Sequence, residues 1–164
     1  REAEARALEE EQRIERQKEE DRERETQRVE ELRRQWRWAT FARLQLEEEK
    51  DDGKGDVCRL NLRLENGSRI VHKFPAGMLL QRLFDFVETR DVAGEWETSK
   101  ESPYGGELRC ILAPESYKHE YDFVLVSQFP RVVFADRQAV LKDALVASGM
   151  WPSASLIVEP LFEE

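Results

Sequence analysis

Cysteine and histidine are scarce in this sequence, and no apolar run is long. The chain of 164 residues has two cysteines, Cys58 and Cys110, and two histidines, His72 and His119. The histidines are far apart and lack metal-motif spacing, so we expect no metal site and no cofactor. A single disulfide is one use of the cysteines, but we expect reduced thiols in an intracellular protein. No run approaches the roughly 20 apolar residues of a membrane span.

The charge balance and the absent motifs exclude several classes of function. Charged residues make up 37% of the chain and its net charge is −9, which does not favour nucleic acid or an anionic membrane as a partner. A nucleophile elbow, a phosphate-binding glycine loop and paired metal ligands are missing, so we expect a protein without enzymatic activity. Because the chain starts at Arg1, we expect it to be a fragment of a longer protein, and a missing secretory signal carries little weight.

The first 50 residues contain neither glycine nor proline and are rich in Glu, Arg, Gln, Ala and Leu. These residue types favour helix formation. Opposite charges also recur at helical spacing, as in Glu2–Arg6 and Glu30–Arg34, with the acidic residue on the favourable N-terminal side. The pattern predicts one long charged helix over residues 1–50, which would reach roughly 70 Å at 1.5 Å per residue.

Apolar residues divide this predicted helix into two halves. Between Glu9 and Arg28 the only large apolar residue is Ile14, whereas a coiled coil needs apolar positions over about three or four heptads. The second half carries an apolar stripe of Val29, Leu32, Trp36 and Ala39, thickened by Trp38, Phe41, Leu44 and Leu46. Packing onto the following domain would cover the stripe. The alternative is a partner-binding arm or a coiled coil, with Val29, Leu32 and Trp36 as contacts.

Residues 51–56 form a predicted hinge, because an acidic run followed by Gly53 and Gly55 ends the helix. A strand pattern follows at once. Apolar and polar residues alternate over Cys58–Leu64, as expected for a strand with one buried face. Glu-Asn-Gly-Ser at residues 65–68 is a strong hairpin turn, because Asn-Gly readily supplies positive φ.

The rest of the chain predicts an α+β domain over residues 57–164 with an insertion at about residues 91–120. Leu108–Leu112 would form a short strand within this insertion, whose purpose the sequence does not reveal. The other predicted elements are strand 69–74, helix 78–89, strand 122–127, strand 132–134, helix 138–148 and strand 155–158. The order β-β-α-β-β-α-β is that of a ubiquitin-like β-grasp.

The hairpin over residues 121–134 has an unusual tip. Its sequence is YDFVLVSQFPRVVF, so the turn carries Phe129, Pro130 and Arg131 where polar residues or glycine are normal. Proline fixes its own φ and pushes Phe129 toward an extended conformation, which makes the tip stiff. The local pattern leaves two interpretations open: the ring folds back into the core, or it is an exposed anchor that fills a pocket on a partner.

These features together resemble a UBX domain. The resemblance spans about residues 56–164 and rests on LNLRL, the turn ENG, the helix with FDFV, the hairpin VLVSQFPRVVF and the terminal SLIVEPL. The helix directly upstream resembles the C-terminal part of the Fas-associated factor branch. The resemblance implies a non-enzymatic adaptor that docks on the N-terminal domain of the valosin-containing AAA ATPase. It would link that ATPase to ubiquitinated substrates and to other cofactors, in the cytoplasm or nucleus, with endoplasmic reticulum association through upstream segments.

The resemblance also implies site residues. In UBX domains the Phe-Pro-Arg turn, whose Phe-Pro bond is often cis, enters the cleft between the two lobes of the ATPase N-terminal domain. Phe129 and Pro130 would be the apolar plug and Arg131 the adjoining charge. Arg63, which precedes Leu-x-x-Gly in the first strand, would be a second basic contact, and Arg59 would extend the basic area.

Two other β-grasp classes compete with this interpretation. A Ras-association type module would pair the edge of its second strand with a small GTPase, and Arg69, His72 and Lys73 are available for that. A conjugated ubiquitin-like modifier needs a flexible C-terminal diglycine. Residues 161–164 read Leu-Phe-Glu-Glu, so we do not expect a modifier.

Overall fold

The computed structural model describes residues 1–51 and 53–161. Asp52, in the predicted hinge, and residues 162–164, on which the argument against a modifier depends, lie outside the described residues. The elements are α1 (Glu2–Lys50), β1 (Val57–Arg63), β2 (Arg69–Pro75), α2 (Leu80–Glu88), α3 (Arg90–Ser99), β3 (Phe123–Gln128), β4 (Arg131–Phe134), α4 (Leu141–Ala147) and β5 (Ser153–Pro160).

Helix α1 confirms the long charged helix. Every side chain of its first 30 residues is exposed. The ion pairs of this half lie within the helix itself, for example Arg6 with Glu2 at 3.7 Å and Arg28 with Glu25 at 2.7 Å. Such pairs contribute only a few tenths of a kcal/mol each. The N-terminal half therefore projects into solvent over about 45 Å as a single helix.

The five strands confirm the predicted α+β β-grasp. They form one sheet in the order β2-β1-β5-β3-β4, with β1 parallel to β5 and the other neighbours antiparallel. The predicted alternation in β1 is seen directly: Cys58, Leu60 and Leu62 are fully buried, and Arg59 and Arg63 are exposed on the opposite face. Helices α2 and α4 contribute their apolar residues to the same core, which leaves the outer face of the sheet open.

The turn between β1 and β2 forms as its sequence predicts. Gly67 has φ of 85°, a conformation that residues with a side chain rarely adopt. The N–H of Ser68 donates to the side-chain oxygen of Asn66 at 2.9 Å, and the N–H of Leu64 donates to the carbonyl of Ser68 at 2.9 Å. The turn therefore fixes the register of the first hairpin.

The predicted strand at Leu108–Leu112 is wrong. Leu108–Cys110 form one turn of 3-10 helix instead, and helix α3 forms the first part of the insertion. The segment is helical because Leu108 and Ile111, at i and i+3, pack on the apolar cluster that Trp38 and Phe41 of α1 form. The insertion therefore covers the second half of α1 and adds nothing to the sheet.

Packing onto the domain covers most of the apolar stripe of α1. Leu44 joins the core beneath the sheet, and Trp38 and Phe41 form the second cluster with the insertion. Ion pairs reinforce this junction: Arg43 is 2.7 Å from the buried carboxylate of Asp85. The remaining part of the stripe is less covered, with Val29 41% and Leu46 37% exposed.

Two further observations concern the cysteine thiols and the helices. Cys58 and Cys110 are both free, the first buried and the second exposed, and burial raises the pKa of the Cys58 thiol to about 11. Within residues 1–51 and 53–161, the helices are too short or too polar for any of them to cross a membrane.

Candidate partner-binding surface

The turn between β3 and β4 presents an aromatic ring to solvent. Gln128 and Arg131 close the hairpin as its last paired residues, so Phe129 and Pro130 alone form the tip. The peptide bond between Phe129 and Pro130 is cis. The side chain of Phe129 is 92% exposed, the highest value among the large apolar residues of the described chain. Of the two interpretations left open by the sequence, the structure shows the exposed one.

The strands behind the tip hold it in place. Leu125 pairs with Phe134, and both side chains are buried in the core beneath the sheet. On the opposite face Val126 pairs with Val133, and Val126 is fully buried although it lies on the outer side. A hairpin anchored on both faces exposes Phe129 without contributing it to the core, so the ring is available for contacts outside the domain.

Arg131 has an acidic neighbour that the sequence did not reveal. Its guanidinium lies 3.5 Å from the carboxylate of Glu159 on β5, and the Arg131 side chain is 63% exposed. An exposed pair of this kind contributes at most about 1 kcal/mol. The pair draws Arg131 over the outer face of the sheet, and a partner carboxylate would have to compete with Glu159.

Arg63 lies on the same outer face as the turn. Arg63 pairs with Ile157, Ile157 with Val126, and Val126 with Val133, so these residues form one row across four strands. At about 4.8 Å per strand, Arg63 is roughly 14 Å from the β4 end of this row. Within the described residues Arg63 has no hydrogen bond or ion pair, so its guanidinium is available to a partner.

Arg59 lies on the outer face level with the turn. It pairs with Ser153 of β5. Ser153 and Ser155 line two neighbouring grooves, one that contains Phe129 and one that contains Arg59 and Asn61. The structure therefore brings the predicted Arg59, Arg63 and Arg131 onto one face with the Phe129 tip. Apolar side chains lie between the arginines of β1 and Arg131 of β4.

The predicted secondary contacts on α1 occupy different surroundings. Val29 is exposed, Leu32 is half-buried, and Trp36 stacks on His119 of the insertion. Their part in partner binding stays a prediction. For residues 1–51 and 53–161, no three His, Cys, Asp or Glu side chains are grouped in a way that would hold a metal ion.

A family model described as UBX domain matches residues 52–160, which is more than half of the chain. The chain belongs to the UBX domain family. No curated protein matches it. UBX domains are non-catalytic interaction modules that generally bind the N-terminal domain of the valosin-containing AAA ATPase, which supports an adaptor role. The likeness to the Fas-associated factor branch stays a prediction.

Proposed function

We propose that this UBX domain docks on the N-terminal domain of the valosin-containing AAA ATPase through the Phe129-Pro130-Arg131 turn. The observation that carries the proposal is the 92% exposure of Phe129 at the tip of a hairpin that is paired up to Gln128 and Arg131. A rigid aromatic side chain loses little conformational entropy when it enters a pocket, which is typical of a binding hot spot. The tip is also small enough to enter a cleft between two lobes.

The basic side chains of the outer face are suited to a partner surface that carries acidic groups. Arg63 on β1 and Arg131 on β4 lie three strands apart on this face, and a guanidinium forms two-pronged hydrogen bonds with a carboxylate. The chain as a whole carries −9, so attraction to an acidic surface must come from this local group. Because one turn and two arginines make a small interface, we expect micromolar affinity.

The exposed half of α1 adds a second part to the proposed adaptor. The side chains of residues 1–30 are exposed, and the junction with the domain begins at Glu31, whose carboxylate accepts a hydrogen bond from the Tyr104 hydroxyl of the insertion at 2.9 Å. We propose that this arm engages substrate-bearing partners of the ATPase while the turn anchors the chain. Ubiquitinated proteins are then held near the ATPase for unfolding and degradation.

The geometry supplies only part of the basic surface that the Ras-association alternative requires. Arg69 and Lys73 lie on the outer face, but His72 lies on the opposite face, where its Nε2 is 2.9 Å from the carboxylate of Glu48 on α1. The three basic side chains therefore do not form one surface. A pull-down that offers the isolated ATPase N-terminal domain and a GTP-loaded small GTPase to the same immobilised chain tests the proposal. Retention of the N-terminal domain alone is expected, and retention of the GTPase alone would contradict it.

A further inference from the structure

Strand β2 forms one edge of the sheet, and some of its main-chain N–H and C=O groups point away from the sheet. The ladder to β1 is bracketed by two hydrogen bonds, from Leu64 N–H to the Ser68 carbonyl and from Ala76 N–H to the Asp56 carbonyl, both 2.9 Å. In an antiparallel pair, hydrogen-bonded positions alternate with positions whose N–H and C=O point outward. The register therefore directs the main-chain groups of three residues to the free side. They are Arg69, Val71 and Lys73.

The side chains of these three residues extend a basic area over the outer face. Arg69 lies beside Arg63, and Lys73 lies beside Arg59, in the paired register of β1 and β2. Val71 lies between them and is 52% exposed. Within the described residues, none of these four cations has a hydrogen bond or an ion pair, and no acidic side chain shares their face on β1 or β2. We call Arg69, Val71 and Lys73 the β2 edge.

The inner side of the β2 edge borders a groove. It lies between the C-terminal end of α1, helix α2 and β2, and its walls include Leu44, His72 and Phe86. The guanidinium of Arg90 lies 3.5 Å from the centre of the Phe86 ring. The carboxylates of Glu48, near the end of α1, and of Asp51, just after it, also line the groove together with Lys73, Arg82 and Arg90, so its wall combines apolar and charged side chains.

We propose that the β2 edge binds an extended peptide as a sixth strand, with acidic residues against Arg69 on the outer face and apolar residues against Leu44 and Phe86 on the inner face. Free main-chain groups on an edge strand supply the hydrogen bonds of such an addition, and side chains on its two faces supply the specificity. The unpaired cations match acidic side chains on the outer face. Because Glu48 lies near the Lys73 end, the acidic residues of the peptide gather at the Arg69 end.

This site is separate from the proposed ATPase contact. β2 and β4 are opposite edges of the sheet, four strand spacings or roughly 19 Å apart. Arg59 and Arg63 of β1 border both surfaces. A chain anchored through Phe129 can therefore hold a peptide on its β2 edge at the same time.

The test follows main-chain amide signals of the isotope-labelled chain by NMR during titration with a short synthetic peptide. In this peptide valine alternates with glutamate in one half and with threonine in the other, and a matched peptide has lysine in place of glutamate. The glutamate peptide is expected to shift the Val71 and Lys73 amide signals and to slow their hydrogen exchange. The lysine peptide is expected to have no effect.

Three variants separate the parts of the proposal. Val71→Pro removes one outward N–H at a position where an edge strand tolerates proline, and it is expected to abolish binding, whereas Val71→Ala keeps the donor and retains binding. Arg69→Ser is expected to weaken binding about tenfold, since it removes a charged hydrogen-bond donor. Phe129→Ala should leave peptide binding intact, so failure here is distinct from failure of the proposed ATPase contact.

Other outcomes overturn the proposal. Shifts confined to the Phe129 turn, or no shifts at all, would mean that the charges of the β2 edge only keep this edge from pairing with other chains. Equal binding of the lysine peptide would remove the electrostatic argument. A single-stranded oligonucleotide is the last comparison. If it bound the same cations, and bound the Val71→Pro variant as tightly as the parent chain, the surface would be a general polyanion site instead of a strand-binding edge.

Discussion

The indole ring of Trp36 stacks on the imidazole of His119, with ring centroids 3.7 Å apart and an angle of 7° between the planes. Trp36 belongs to α1 and His119 to the insertion, so the stack joins the two. Tyr121 contacts both rings edge-on, at 6.2 and 4.8 Å between centroids. We infer that the insertion fixes the direction in which α1 leaves the domain.

Trp36→Ala is the first test of that role. Removing the ring deletes the aromatic contacts of a half-buried side chain with Tyr117, His119 and Tyr121, so the free energy of unfolding should fall by about 2 kcal/mol. Urea denaturation measures it. Leu112→Ala, at a side chain that is 75% exposed, is the control and should change stability by less than about 0.5 kcal/mol. Equal stability of Trp36→Ala and the parent chain would mean that the stack contributes nothing to the junction.

The carboxylate of Glu88 makes the same junction sensitive to acid. Burial alone would raise the pKa of Glu88, but His119 and Arg37 outweigh it and hold the pKa below its ordinary value of 4.5. The Nη2 of Arg37 is 3.0 Å from this carboxylate, and the Nε2 of His119 is 3.6 Å from it. A lowered pKa in the folded state stabilises the fold above pH 4.5, and this contribution is lost as the pH falls through the folded-state value.

Melting temperatures measured between neutral pH and pH 3 should therefore drop below pH 4.5, and Glu88→Gln should flatten that part of the profile. Glu4→Gln removes the same charge from the exposed end of α1 and is the control. If the two variants gave the same acid profile, the contribution assigned to Glu88 would be refuted.

Deletion of residues 1–28 tests the arm. Its ion pairs lie within the helix, so the shortened chain should keep its fold and its affinity for the ATPase N-terminal domain. Unfolding of a ubiquitinated substrate by the complete ATPase should slow. Fluorescence loss of a ubiquitinated fluorescent protein follows the rate. Unfolding as fast as with the intact chain would remove the arm from the mechanism.

Glu159→Gln tests the competition for Arg131. Release of this arginine from its neighbour should strengthen binding to the ATPase N-terminal domain by about threefold, within the range of an exposed ion pair. Glu4→Gln again matches the change in net charge and should leave the affinity unaltered. Weaker binding of Glu159→Gln would show that Glu159 positions Arg131 productively instead of competing for it.

Local sequence patterns predict the fold correctly where short-range chemistry determines it. The alternation from Cys58 to Leu64 and the Asn66-Gly67 turn specify a hairpin with one buried face, and the structure has it. The strand predicted at Leu108–Leu112 is absent for a physical reason. A pattern of five residues does not distinguish strand spacing from the i,i+3 contact that Leu108 and Ile111 make with α1. The partner surface for that contact lies about 70 residues earlier in the chain, beyond any local pattern.

The candidate surface was predictable in part. The residues of the Phe-Pro-Arg turn identified its tip, but only the paired strands behind Phe129 show that the ring stays outside the core. The contact between Arg131 and Glu159 depends on β5 lying next to β3, a relation between distant segments that no spacing in the sequence carries. The free β2 edge likewise follows from the strand order.

The most direct test of the docking proposal is calorimetry of the chain with the isolated ATPase N-terminal domain. Phe129→Ala should weaken binding by about 2 kcal/mol or more, which is roughly a thirtyfold rise in Kd. Leu112 is another exposed apolar residue but lies outside the turn, so the Leu112→Ala variant should bind the N-terminal domain as the parent chain does. Unchanged affinity of Phe129→Ala would contradict the proposal that the exposed ring is the anchor.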